Sequence, residues 1–139
     1  MTQPAPAPLA YPTARLLLVI AVTALILFVL WFALRGPAQV SDEVYRGGVI
    51  GLLVATAAHA AGTLIGSVLA GAKGAASAYL ASTAVRFVLT PVLALLVSSF
   101  LPVATKPLLV GAATGYLLIL AADIGTMLKA MQRTGQATR

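Results

Sequence analysis

The stretch Ser82–Val92, STAVRFVLTPV, lies inside a run from Gly74 to Thr105 in which Arg86 is the only charged residue. This run is longer than the roughly 20 residues that a helix needs to cross a 30 Å hydrocarbon core. A charge at the bilayer centre is unfavourable by about 2.5 to 3.5 kcal/mol on insertion scales, so Arg86 needs a partner or water. What surrounds this arginine therefore decides both how the chain packs and what it does.

The rest of the chain has the same apolar character. Hydrophobic residues make up 60% of its 139 residues and charged residues only 9%, against roughly 25% charged residues in soluble domains. Uncharged runs cover residues 16–34 and 47–72, and Asp123 alone interrupts residues 107–128. The sequence therefore predicts an all-α membrane protein with a membrane domain over residues 15–131. Its four transmembrane helices are expected at about 15–35, 46–72, 75–100 and 107–128.

The two ends of the chain have a different composition. Residues 1–14 are proline-rich and lack an apolar period, so we expect them to be disordered. Residues 132–139 are polar and are expected to form a flexible C-terminal tail. The chain has no cysteine, which excludes disulfides and thiolate metal sites.

The basic residues bear on orientation. They are scattered and form no cluster, so nucleic acid is not an expected partner. With four spans, one side of the membrane carries Arg15, Lys73, Lys129, Arg133 and Arg139, and the other carries Arg35, Arg46 and Lys106. This bias of five against three predicts that both termini are cytoplasmic.

Small residues recur at every fourth position in two of the spans. Because lipid supplies no hydrophobic force between helices, such rows allow the close backbone approach that joins them. The predicted helix-packing glycines are Gly51, Gly62, Gly66, Gly111 and Gly115. The short connection over residues 71–74 predicts that spans two and three are antiparallel.

Three ionisable residues, His59, Arg86 and Asp123, lie within the spans. His59 is 14 residues before Lys73 and Arg86 is 13 after it, so at about 1.5 Å per residue they reach similar depths. Counted from Val103, Arg86 is 17 residues back and Asp123 is 20 forward, a mismatch of roughly 5 Å that a long arginine can close. A supporting polar face is predicted from Tyr79, Ser82, Thr83 and Thr90 beside Arg86, and from Tyr116 beside Asp123.

This pattern leaves two interpretations of Arg86 open. In one, Arg86 forms an internal bridge to Asp123, and His59 and hydroxyl groups satisfy its remaining donors. In the other, Arg86 contacts a carboxylate of a partner membrane protein or lines an ion path. With one histidine, three acids and no cysteine, the chain has no catalytic constellation, and we expect neither an enzyme nor a cofactor. Whether a metal binds is left open.

Spans two to four resemble the ATP synthase protein I family of small bacterial membrane proteins. The resemblance lies in GGVIGLLVATAAHAAGTLIGSVLAGA, in the basic residue of AVRFVLTPVLALLV, and in LPVATKPLLVGAATGYLLILAADIGTML, over residues 46–130. It implies four helices in two antiparallel hairpins, cytoplasmic termini and a location in the bacterial inner membrane. His59 and the proline-rich start have no counterpart in the resemblance.

The resemblance also implies a function. The family is associated with assembly of the rotor ring of F-type ATP synthase, whose subunits carry a carboxylate at mid-membrane, and Arg86 stands at the position of its third-span basic residue. The expected function is that of an assembly accessory protein whose intramembrane arginine engages a partner carboxylate. The alternatives are a small oligomeric channel or transporter for ions such as divalent cations, and a holin.

Overall fold

The computed structural model describes residues 11–136, apart from the side chains of residues 73, 131 and 133–136. Over this range the chain forms four helices and no strand: α1 Thr13–Arg35, α2 Asp42–Lys73, α3 Ala75–Phe100 and α4 Thr105–Gln136. Each contains a segment long and apolar enough to cross a membrane. This is the makeup of a multi-pass membrane protein.

Local sequence accounts for where α2 begins and ends. The Ser41 hydroxyl accepts a hydrogen bond from the Val44 backbone N–H at 3.4 Å, and two acids, Asp42 and Glu43, follow in the first turn. Both features suit the positive end of a helix dipole. At the other end Gly74 has a φ of +78°, which glycine adopts without strain, and its N–H donates to Ala70. A single glycine therefore separates α2 from α3.

Several helix ends differ from the predicted spans. α2 begins at Asp42 rather than residue 46, and α4 runs from Thr105 to Gln136 rather than over 107–128. A helix can continue past the hydrocarbon core into the headgroup region, so hydropathy locates the span better than the helix end. Residues 132–136, expected in a flexible tail, belong to α4, and residues 13 and 14 belong to α1. Residues 1–10 and 137–139 lie outside the described part of the chain.

Helix α2 lies in contact with each of the other three helices and packs most extensively against α4. The glycines explain this closeness, since a methyl group on Gly51 would collide with the backbone of Leu108 and Ala112. Gly111 on α4 faces the backbone of Gly48 in the same way. A cluster of buried apolar residues lies where α2, α3 and α4 meet, and consists of Val54, Ala94, Leu108 and Ala112.

The outer surface is covered by large apolar side chains, including Phe32 at 66% exposure and Val68 at 79%. Exposed apolar surface this extensive suits lipid better than water. Helix α1 is attached to α2 by Trp31, whose indole N–H donates to the Tyr45 carbonyl at 3.3 Å and whose ring lies against Gly48.

Candidate functional site

Arg86 is completely buried and is bound from three helices. Its Nη1 donates to Asp123 Oδ2 on α4 at 2.5 Å, and its Nη2 donates to Thr63 Oγ1 on α2 at 2.7 Å. The guanidinium carbon also lies 5.8 Å from the centre of the Tyr79 ring on α3. Of the two interpretations of this arginine, the described structure therefore contains the internal bridge.

Glycine at position 62 makes room for the arginine. A methyl group there would lie 2.7 Å from Arg86 Nε and would also collide with the side-chain carbons. The aliphatic stem thus lies directly on the backbone of α2, one residue from Thr63. Gly62 was predicted to let two helix backbones approach each other. Here it accommodates the side chain of Arg86 instead.

Thr63 takes the place that the sequence assigned to His59. Its hydroxyl donates to the His59 carbonyl at 2.9 Å and accepts from Arg86. The expectation that His59 satisfies a donor of Arg86 was wrong, because the imidazole is turned toward its own helix and toward α4. Thr63 is four residues after His59 and so shares its helix face, which was the available signal.

His59 is also fully buried. Its Nδ1 lies 2.9 Å from the Ala55 carbonyl, and its ring centre lies 5.1 Å from that of Tyr116. Because a carbonyl oxygen only accepts, Nδ1 carries the hydrogen, and Nε2 of the neutral ring presents a lone pair.

The predicted polar face of α3 is present, but its hydroxyls serve the helix itself. Ser82 and Thr83 each donate to the Tyr79 carbonyl at 2.9 Å, and Thr90 donates to the Arg86 carbonyl at 2.8 Å. Donating to the preceding turn uses the hydroxyl proton but leaves the oxygen able to accept, as in Thr63. No described hydrogen bond joins any of these three to the guanidinium, so among the hydroxyl groups expected to satisfy its donors it is that of Thr63 that does so.

Tyr11 was not predicted to belong to the site. Its hydroxyl lies 3.5 Å from Ser82 Oγ, and a methyl group on Gly66 would come within 2.5 Å of that hydroxyl. The segment before α1 therefore packs onto α2 and α3, one helical turn from Arg86. The proline-rich composition of residues 1–14 gave no signal for this contact.

Four buried polar atoms in this region have no hydrogen-bond partner among the described residues: Arg86 Nε, Asp123 Oδ1, His59 Nε2 and Tyr79 Oη. An unsatisfied buried polar atom is unfavourable by about 1 to 3 kcal/mol. We call Thr63 and these four residues the polar layer. The polar layer thus has hydrogen-bonding capacity that its own residues do not use.

An open cleft of about 430 Å³ lies between α3 and α4, and its walls include Phe87, the chain neighbour of Arg86, and Tyr116, which contacts His59. Of the helix pairs that are in contact, α3 and α4 have the smallest interface. Across the cleft, the Phe87 and Tyr116 rings meet edge to face with their centres 6.4 Å apart. The walls are almost entirely apolar and are formed by Phe87, Thr90, Pro91, Ala94, Leu109, Ala112, Ala113, Tyr116 and Leu117.

The described residues contain no group of three or more histidines or acids placed to hold a metal ion. At the surface, Asp42 is paired with Arg35. Arg86 likewise occupies one of the two carboxylate oxygens of Asp123.

Comparison of the chain with protein-family models, with curated proteins and with solved structures gave no match. The resemblance to the ATP synthase protein I family thus stays a prediction from the residues.

Proposed function

We propose that this chain is a membrane accessory protein that assists assembly of the F-type ATP synthase rotor ring, using Arg86 to engage a carboxyl group of a partner. The observation that carries the proposal is a buried arginine with an unused donor, whose chain neighbour Phe87 lines an open apolar cleft. The residues that resemble the ATP synthase protein I family supply the identity of the partner.

Arg86 can engage a second carboxyl without first leaving Asp123. A guanidinium has five N–H donors, and the described bonds join it to two acceptors. The attraction within a buried ion pair is largely offset by the lost hydration of both ions. Sharing Arg86 with a second carboxyl that adds no charge is therefore a small change in free energy, which suits an assembly factor that must release its client.

We infer the membrane arrangement from the same residues. Four helices joined by short connections suit two antiparallel hairpins, and the bias of five basic residues against three supports cytoplasmic termini. The bacterial membrane is what the resemblance implies. The rotor-ring subunits would then be engaged within the inner membrane.

A small oligomeric channel or transporter for divalent cations is the second candidate. The observation in its favour is a pair of buried acceptors without donors, Asp123 Oδ1 and His59 Nε2. The guanidinium bound to Asp123 at 2.5 Å opposes a cation there. Cation flux into liposomes that contain only the purified protein would support this candidate over the first.

Rotor-ring yield in a strain that lacks the gene tests the proposed function. We expect fewer rings in that strain, and restoration by the wild-type chain. The double variant Arg86→Met with Asp123→Leu should not restore the yield, because it removes the arginine without leaving an unpaired buried charge. The matched control is Arg35→Met with Asp42→Leu, which removes the surface ion pair and should restore the yield.

Normal ring yield without the chain would contradict the proposal. Full restoration by the Arg86→Met, Asp123→Leu variant would contradict the role given to Arg86.

A further inference from the structure

We infer that the cleft between α3 and α4 is the docking surface for a transmembrane helix of the partner, and that the polar layer behind it receives a carboxyl group in its protonated, neutral form. The choice of partner rests on the proposed function. The docking surface and the protonation state rest on the geometry below.

The shape and lining of the cleft select a helix. On α3 its wall runs from Phe87, next to Arg86, to Ala94, about two helical turns further toward the end of the helix. Its walls include Ala94, Ala112 and Ala113, small side chains of the kind that let helix backbones approach closely in lipid. Thr90 and Tyr116 are the polar residues of this lining, and both stand at the end next to Arg86.

The unused hydrogen-bonding groups of the polar layer select a neutral acid. Among the unused atoms, Arg86 Nε–H is a donor and the Tyr79 hydroxyl can donate or accept, whereas Asp123 Oδ1 and His59 Nε2 only accept. A protonated carboxyl supplies a carbonyl oxygen for the donor and an O–H for one acceptor. An ionised carboxylate supplies only acceptors, so it brings no donor for Asp123 Oδ1 or His59 Nε2.

Charge leads to the same conclusion. The positive charge of Arg86 is already balanced by Asp123, and both side chains are fully buried. An ionised carboxylate would add a net negative charge to this water-poor region, which is strongly unfavourable. A neutral carboxyl adds none.

Entry requires the aromatic pair over the layer to move. Phe87 is 68% exposed and reaches across the cleft to Tyr116, which in turn contacts His59. An aromatic pair of this kind stabilises by about 0.5 to 1.5 kcal/mol beyond its buried area. A helix that packs into the cleft replaces that contact, so the pair acts as a weak cover.

The test uses the full-length chain in liposomes and synthetic transmembrane peptides of about 20 Leu and Ala residues. Three peptides carry Glu, Gln or Leu at the central position, and binding is measured by energy transfer from a labelled chain. Because the Gln amide has the same acceptor and donor as a protonated carboxyl, the Glu and Gln peptides should bind alike. The Leu peptide should bind roughly tenfold more weakly, which is the loss of about 1.4 kcal/mol.

Two tryptophan variants locate the surface. Ala113→Trp fills the cleft and should weaken the Glu peptide roughly tenfold. Ala84 is also exposed on its helix but lies outside the cleft, so Ala84→Trp should leave binding unchanged. Helix content by circular dichroism verifies that both variants fold, and Ala113→Leu replaces the first variant if it does not.

Three results would overturn the inference. Gln binding as weakly as Leu would mean that the charged form is recognised. Equal binding of Glu and Leu would mean that the polar layer recognises nothing, and equal effects of the two tryptophans would place the surface elsewhere. Peptide binding together with normal ring yield in the deletion strain would contradict the proposed function while leaving the docking surface intact.

Discussion

The α2–α4 and α3–α4 interfaces join helices by opposite means. Between α2 and α4, Gly51 and Gly111 bring the two backbones into direct contact. Between α3 and α4, contact is sparse, a cleft of about 430 Å³ stays open, and the Arg86–Asp123 ion pair spans the gap. The α2–α4 interface is continuous, whereas α3 and α4 meet at a few places: the ion pair, the Phe87–Tyr116 rings and the packing of Ala94 against Leu108 and Ala112.

The difference teaches what each interface is able to do. In lipid, helices associate through close packing and polar contacts rather than through a hydrophobic force. A backbone-to-backbone interface cannot accept a third helix without separating. An interface with few contacts beside an open cleft can, so we propose that a partner fits between α3 and α4.

The largest effect is expected from removing one side of the ion pair. Asp123→Ala leaves Arg86 buried without a counter-charge and should lower the free energy of unfolding by about 3 to 5 kcal/mol. The measurement is unfolding in detergent mixtures of increasing denaturing strength. Asp42→Ala is the matched control, because it breaks the exposed pair with Arg35 and should change stability by less than about 1 kcal/mol. Equal losses in the two variants would remove the distinction between a buried and a surface ion pair.

A smaller effect is expected at the continuous interface. Gly51→Ala places a methyl group against the α4 backbone and should destabilise the chain by about 1 to 3 kcal/mol. Gly125→Ala is the control within a helix, since nothing lies within 4 Å of the added methyl. There alanine should be neutral or stabilising by up to about 1 kcal/mol. If Gly51→Ala were also neutral, close backbone approach would not be what joins α2 to α4.

The smallest effect is expected from the hydroxyl that supports Arg86. Thr63→Val removes the acceptor for Nη2 and should lower the free energy of unfolding by about 0.6 to 1.7 kcal/mol. Thr56→Val serves as the control, because the Thr56 hydroxyl donates only to the Leu52 carbonyl of its own helix. A loss at Thr56 as large as that at Thr63 would show that the bond to Arg86 adds nothing.

Much of the architecture was predictable because bilayer thickness sets the length of an apolar segment. The uncharged runs located four helices, and counting residues from the connections placed Arg86 within reach of Asp123. Glycine spacing likewise indicated the contacts of Gly51 and Gly111.

Rotation and helix pairing were less predictable. Thr63 rather than His59 accepts from Arg86 because Gly62 lets the arginine stem lie on α2, a detail of how two helices are turned toward each other. The cleft follows from how α3 and α4 are held apart on either side of α2, which no single helix pattern encodes. The contact of Tyr11 with Ser82 could not be predicted, because the residues around Tyr11 are proline-rich and lack an apolar period.

A double-mutant cycle on Arg86 and Asp123 tests most directly whether one ion pair joins α3 to α4. The free energy of unfolding is measured for Arg86→Met, Asp123→Leu and the double variant. Buried ion pairs can be replaced by apolar residues at little cost, whereas single replacements leave a buried charge. We expect the double variant to lose far less stability than the sum of the single variants, with a coupling energy of about 2 to 3 kcal/mol. Additive losses would contradict the account, because the two side chains would then stabilise the bundle independently.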